Sequence, residues 1–154
     1  ELAMQIDIRE VSEEHITRVS QLTQKTNQFN LTARRYSEEE VRKQIQDGWK
    51  LWAISVTDRF GDYGIVGAVI IEPKGNEWHI DNFLLSCRIL GRRVEDDIIR
   101  HIKESAREAH VSGLKAEYRK TAKNYQTEKF WDAAGFEPKE ENTQEIKQYY
   151  FDLA

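Results

Sequence analysis

The sequence predicts an α/β domain with a mixed central sheet and helices on both faces. Three observations carry this. Apolar and polar residues alternate over Gln5–Arg9, Leu51–Thr57 and Leu114–Arg119, the period of a strand. Apolar residues recur at helical spacing at Ile16, Val19 and Leu22, and again at Val94, Ile98, Ile102 and Ala106. Tight turns separate the middle strands, whereas a whole helix lies between the strand ending at Ser86 and the one opening at Leu114. Tight turns make antiparallel neighbours, and a helical crossover makes a parallel pair of right-handed sense.

The elements follow in order. Gln5–Arg9 is a short strand. Ser12 with Glu13 and Glu14 starts a helix with an acidic first turn. Its apolar face runs through Ile16, Val19 and Leu22 toward Thr26, and the segment Asn27–Thr32 breaks it. Ser37 and Glu40 form a capping-box pattern for a second helix with Val41, Ile45 and Trp49 on one face. Leu51–Thr57, Gly64–Glu72 and Glu77–Ser86 form a meander, with turns at Arg59–Asp62 and Pro73–Asn76. The third helix reaches Ala109 and stops before Gly113. Leu114–Arg119 is the next strand. Asn124 caps a short helix to Ala134 that Gly135 ends in a left-handed conformation. Ile146–Leu153 is the final strand. The order is β-α-α-β-β-β-α-β-α-β.

The 154 residues suit one domain, 1–154, with a proper core. Charged residues make up 32% and hydrophobic ones 39%, the balance of a soluble globular chain. No apolar run approaches ~18 residues, so no membrane-spanning helix is expected, and no basic-then-apolar signal opens the sequence. A single cysteine leaves no internal disulfide and fits a reducing cytoplasm. The net charge of -4 argues against general nucleic-acid binding. Basic residues still gather at Arg34–Arg35, at Arg88–Arg93, and at Arg119, Lys120 and Lys123, which keeps a local anion site open. The start at Glu1-Leu2-Ala3-Met4 reads as the edge of a longer protein.

The most informative stretch runs from Phe83 to Glu95. An apolar strand enters a Gly-containing turn that opens a helix. Such a junction presents free N–H groups and the positive end of a helix dipole, where phosphates bind. The lone Cys87 sits there among Arg88, Arg92 and Arg93. A phosphate-tailed thiol or thioester is the ligand this setting suggests.

The element order, with Arg88-Ile89-Leu90-Gly91-Arg92-Arg93 after the third meander strand, resembles the GNAT acyltransferase fold. That family's pyrophosphate motif ends on Gly or Ala, where Arg93 stands here. The resemblance implies that Arg88, Ile89, Leu90, Gly91, Arg92 and Arg93, with Asn124 of the second motif, hold phosphopantetheine or coenzyme A where the sheet splays. Asn124, Phe130, Trp131, Gly135 and Phe136 fall at that second motif's spacing. Trp131 replaces the tyrosine that commonly protonates the departing thiolate, and an indole N–H cannot do so near neutral pH.

A narrower resemblance is to the C-terminal region of FkbH-like proteins of polyketide assembly. It is carried by Gln21-Leu22, Lys25–Thr32 with Arg34-Arg35-Tyr36, Asp58–Gly64, Leu85–Arg88, and Thr121 with Lys123-Asn124. It implies transfer of a glyceryl-type acyl unit to an acyl carrier protein through a cysteine thioester. It also implies a HAD-like domain ahead of this region. No Asp-x-Asp phosphoryl-transfer motif appears here, so dephosphorylation is not assigned to this chain.

Cys87 is the candidate nucleophile, with inert buried filler as the other reading. Asp81 is a candidate base or hydroxyl-orienting group, or a paired carboxylate; it alternates with His79 and Phe83 on one strand face. His79 lies ~26 Å from Cys87 along an extended strand at ~3.3 Å per residue, too far for a dyad. His15, His101 and His110 show no metal-ligand spacing, and no metal site is proposed. Asn27, Gln28, Asn30 and Thr32 read either as loop chemistry or as a lid over the acyl group. Arg34, Arg35, Lys120 and Lys123 either meet an acidic carrier protein or form a solvated face. Two other functions stay open: an ordinary CoA-dependent N-acetyltransferase, and a non-catalytic module that docks a carrier protein.

Overall fold

The computed structural model describes residues 4–89 and 93–154. Its elements are β1 (Gln5–Glu10), α1 (Glu13–Lys25), β2 (Phe29–Asn30), α2 (Glu38–Gln46), β3 (Lys50–Asp58), β4 (Gly61–Lys74) and β5 (Glu77–Leu85). There follow a 3₁₀ turn at Cys87–Ile89, α3 (Val94–Glu108), β6 (Gly113–Arg119), a 3₁₀ turn at Tyr125–Thr127, α4 (Phe130–Ala133), β7 (Glu137–Pro138) and β8 (Ile146–Asp152). The strands form one mixed sheet in the order β1-β3-β4-β5-β6-β8-β7, with β2 attached to β5. The meander is antiparallel, and β5 and β6, joined through α3, are parallel.

Both faces of the sheet are buried. One face packs Ile54, Val69, Ile80, Phe83, Leu85 and Leu114 against Ile98 and Ile102 of α3 and Trp131 of α4. The other packs Leu51, Ala53, Ile70 and Leu84 against Val19 and Leu22 of α1 and Val41 of α2. The helices form where expected because each carries one apolar face. The start of α2 is also locked chemically: Ser37 Oγ accepts the Glu40 N–H at 3.1 Å, and the Ser37 N–H donates to Glu40 Oε1 at 2.8 Å.

Four details differ from the sequence reading. The strands β2 and β7, two residues each, are too short to show alternation. Helix α2 stops at Gln46 and Gly48 turns the chain at φ 89°, so Trp49 lies beyond the helix and is half-buried. The span expected as one helix from Asn124 divides into a 3₁₀ turn and the single-turn α4, with Gly135 at φ 91° ending it as expected. Asn124 makes no side-chain cap there because its amide turns inward.

The fourth difference is in β5. Its register against β4 shifts between Ile70 and Ile71, which face Asn82 and Ile80 and leave Asp81 as an extra residue. Such a bulge reverses the in/out alternation beyond it. Phe83 therefore joins Trp78 and Ile80 on the α3 face, not His79 and Asp81 as strict alternation predicts. The end of β5 is held closely by β4. Gly67 faces Leu85, and a Cβ there would lie 2.5 Å from Leu85 Cδ2 and 2.8 Å from the Leu84 carbonyl oxygen. The Ser86 N–H then donates to the Val66 carbonyl at 2.7 Å.

Candidate active site

Cys87 is exposed, at the first position of the 3₁₀ turn that follows β5. It opens onto a cavity of about 600 Å³ between the C-terminal half of α1, the end of β5 and the loop before α4. Its lining divides by element. Arg18, Leu22 and Lys25 come from one face of α1, where spacings of four and three bring them together. Asn27 and Gln28 come from the following loop, and Lys123, Tyr125 and Gln126 from the far wall. Among the described residues, no carboxylate lines the cavity. Among the described residues, neither Lys25 nor Lys123 has an ion-pair partner. The sulfur thus faces a basic, half-apolar space.

Arg88 does not flank the sulfur with its charge. Its guanidinium donates to the Tyr63 carbonyl at 3.1 Å and stacks on the Tyr63 ring at 5.9 Å, toward the β3–β4 hairpin. Ile89 is fully buried in the core. Leu90, Gly91 and Arg92, expected in the phosphate turn, lie outside the described residues. Arg93 precedes α3 in the left-handed region at φ 66°. That conformation favours glycine and costs an arginine about 1–2 kcal/mol. A glycine, which the resembled motif allows at this position, would adopt it with less strain than Arg93 does.

Asn27, Gln28, Asn30 and Thr32 divide into two roles. The first two line the cavity. Asn30 and Thr32 are buried beneath it and bind the chain to itself. Phe29 and Asn30 pair antiparallel with Leu85 and Leu84 of β5. The Leu31 N–H donates to the Phe83 carbonyl at 3.3 Å, and the Leu31 carbonyl accepts the Arg119 N–H at 2.8 Å. The parallel pairing of β5 with β6 ends at Ile80 and Ala116, so residues 29–32 fill the wedge that opens beyond it. The expected cradle at the splay of the sheet is therefore occupied by the chain's own backbone.

Three buried asparagines hold this insertion. Asn82 Nδ2 donates to Asn30 Oδ1 at 2.7 Å, and Asn82 Oδ1 accepts the Thr32 N–H at 3.0 Å. Asn30 Nδ2 donates to the Thr26 carbonyl at 3.1 Å, and Asn30 Oδ1 also accepts the Ala33 N–H at 3.0 Å. That bond steadies Ala33 in the left-handed region at φ 56°. Asn124 Nδ2 donates to the Asn30 and Arg119 carbonyls, both at 2.9 Å, while its Oδ1 accepts the Thr121 N–H at 2.8 Å. Asn124 thus lies under the cavity with its side chain fully engaged. Phe29 packs edge-on against Phe83 and Phe130, each at 5.1 Å between centroids. Withdrawing Phe29 and Leu31 from the core costs about 3–6 kcal/mol in apolar burial alone.

Asp81 lies in a different place from Cys87. It lines a second cavity of about 250 Å³ with Arg34, His79, Lys115 and Glu117, on the far side of the inserted segment. Tyr36 donates its hydroxyl to Asp81 Oδ2 at 2.5 Å. Arg34 bridges Asp81 Oδ1 at 3.3 Å and Glu117 Oε2 at 3.0 Å, and Arg119 adds a further bond to Glu117. Burial, more than any neighbour, raises the Asp81 pKa from its ordinary value and also raises that of Tyr36. Burial first, and Lys115 and Lys74 after it, lower that of His79. Arg34 is thus committed inside the fold. So is Arg35, whose guanidinium caps α1 through the Thr23, Gln24 and Thr26 carbonyls at 2.5, 3.0 and 3.2 Å. Lys120 and Lys123 remain exposed.

Solved structures give the architecture a family likeness. The ribosomal-protein-S18-alanine N-acetyltransferase of Escherichia coli superposes with a TM-score of 0.72, covering 97% of this chain and 95% of that one at 12% identity. A putative GNAT-family acetyltransferase of Desulfovibrio desulfuricans gives 0.73 over 97% and 100% at 15% identity. The GNAT domain of S. lividans PAT gives 0.70 over 95% and 89% at 18% identity. The fold is that of the GNAT acyltransferases. No family model matches the sequence, and no curated protein matches it. Within this GNAT fold, Trp131 stands where the resemblance expects a tyrosine. It is buried, and its Nε1–H donates to the Glu117 carbonyl at 3.2 Å. Among the described residues no helix is long and apolar enough to cross a membrane, and no group of three or more His, Cys, Asp or Glu is placed to hold a metal.

The sequence reading did not name Arg18, Leu22, Lys25, Tyr125 or Gln126 as site residues. The α1 trio carries a usable signal: two cations flank Leu22 at helical spacing, on the helix flank next to its buried face. The other two come together only through the fold.

Proposed function

We propose that this chain transfers an acyl group through Cys87 to a thiol, with an acyl carrier protein of polyketide-type biosynthesis as the thiol's bearer. The observation that carries the reading is the exposed sulfur at the head of a basic cavity that, among the described residues, no carboxylate lines. The likeness of sequence to FkbH-like proteins supports the glyceryl-type acyl unit. In the first step Cys87 Sγ gives its proton to solvent and bonds to the carbonyl carbon of an activated acyl donor. The carbon's bond to phosphate oxygen or thiol sulfur breaks, and that leaving group departs with the electron pair. In the second step a carrier thiol gives its proton to solvent and adds to the same carbon, and the carbon's bond to Cys87 Sγ breaks with the electron pair returning to that sulfur. Lys25 and Lys123 favour an anionic donor or the phosphate of the carrier's arm. Asn27 and Gln28 supply hydrogen bonds to a polyhydroxylated acyl group.

Ordinary CoA-dependent N-acetyl transfer gains no support from this site. Trp131 is not an acid, and the wedge in the sheet is filled. Incubating the chain with a glyceryl or acetyl donor should add the acyl mass to the intact protein, and mapping should find it on Cys87. Cys87→Ala should lose all of it, and acylation undiminished in that variant rules the mechanism out.

A further inference from the structure

Two parallel strands that diverge leave a wedge with two open backbone edges. In open α/β sheets the crevice at the carboxyl ends of the strands takes ligands. An extended chain bearing amides can pair with such edges as a strand would. A pantetheine arm is a chain of that kind. Here the β5 edge is paired to Phe29 and Asn30, and the Arg119 amide of β6 is paired to the Leu31 carbonyl. The filling segment has neither the composition nor the bonding of a lid. Asn30 and Leu31 are fully buried, and Phe29 is nearly so. Asn82 and Asn124 tie it from both sides, and each buried amide would lose hydrogen bonds if it withdrew.

We infer that the inserted strand β2 permanently closes the sheet to an extended pantetheine arm, so that free coenzyme A is excluded and the pantetheine thiol that exchanges acyl groups with Cys87 enters from the cavity side, on an arm tethered to a carrier protein. The partner assignment rests on the acyl-transfer reading of the Cys87 pocket. Its physical basis is the source of affinity. Free coenzyme A depends on contacts along its own arm, and the edges that would supply them are taken. A carrier protein brings a second surface and holds its thiol at high local concentration. The cavity side offers exposed Lys123 and Tyr125 for that surface.

The test uses the intact wild-type chain. Acetyl-CoA is titrated calorimetrically to about 1 mM. Hydrogen exchange is followed over residues 29–32 and 83–86 with and without it. In parallel, an acetyl-loaded, phosphopantetheinylated acyl carrier protein is mixed with the chain and the Cys87 mass is read. The expected result is no saturable heat, unchanged exchange over 29–32, and acyl transfer to Cys87 from the loaded carrier but not from acetyl-CoA. Saturable acetyl-CoA binding with faster exchange over 29–32 overturns the closed wedge, whatever happens at Cys87. A carrier that leaves Cys87 unmodified while a free glyceryl donor modifies it overturns the partner assignment alone, and a Cys87 that neither modifies overturns the acyl-transfer reading.

Discussion

Two of the cavities adjoin strand β5 and both bring cations beside it, yet they use those charges in opposite ways. Around Asp81, Arg34 and Glu117 the charges answer one another, and Tyr36 completes the set. Around Cys87 the described lysines have no carboxylate to answer them and the sulfur faces solvent. Groups satisfied internally stabilise and orient the fold. Groups left unanswered at a cavity mouth are available to a ligand. The residues between the two cavities, 29–32, keep them apart.

The comparison breaks most readily at that partition. Asn124→Ala removes a fully engaged buried amide and leaves the Asn30 and Arg119 carbonyls and the Thr121 N–H short of partners. We expect a loss of about 2–4 kcal/mol in urea unfolding. A loss under about 0.5 kcal/mol would mean that the insertion is looser than its bonding suggests. Tyr36→Phe tests the paired cavity alone. It should cost about 1–2 kcal/mol and leave the rate of Cys87 acylation unchanged. A large fall in that rate would join the two cavities functionally.

The acid side of the stability profile sharpens the same contrast. Burial holds the Asp81 pKa above 3.8 in the folded state, so the folded protein keeps this proton longer than the unfolded chain. The associated stability is complete below the unfolded value and is lost as pH rises through the folded one. Asp81→Asn stays neutral throughout. Its stability relative to wild type should therefore rise between about pH 4 and pH 7, read from urea midpoints. The opposite slope would show that Arg34 and Tyr36 outweigh burial. The smallest effect belongs to the open cavity. Lys25→Glu with Lys123→Glu should slow Cys87 acylation by an anionic donor about 3- to 10-fold at low salt, with the gap shrinking as salt is added.

Most of the architecture was legible in the sequence because each long element carries its own period. The helix through Val94, Ile98, Ile102 and Ala106 and the capping box at Ser37 are local facts and survive intact. The bulge at Asp81 was not legible, since nothing in Ile80-Asp81-Asn82 distinguishes it from regular alternation; it exists in the pairing with β4. The same holds for β2. Asn27–Thr32 reads as a polar break between helices, and only the divergence of β5 from β6 gives Phe29 and Asn30 a place to insert. Cys87 was found as a residue, but the walls of its cavity come from α1 and the loop before α4, which the fold alone brings together.

Gly67 has a reach beyond its own strand. Since its bare backbone lets the Leu84 and Leu85 peptides lie close, even a single methyl group there would lever the rail on which the thiol is mounted. Tuning of the reactive atom can thus come from a neighbour that no visiting molecule ever meets, and a Gly67→Ala chain that still folds would carry its chemistry slightly out of aim.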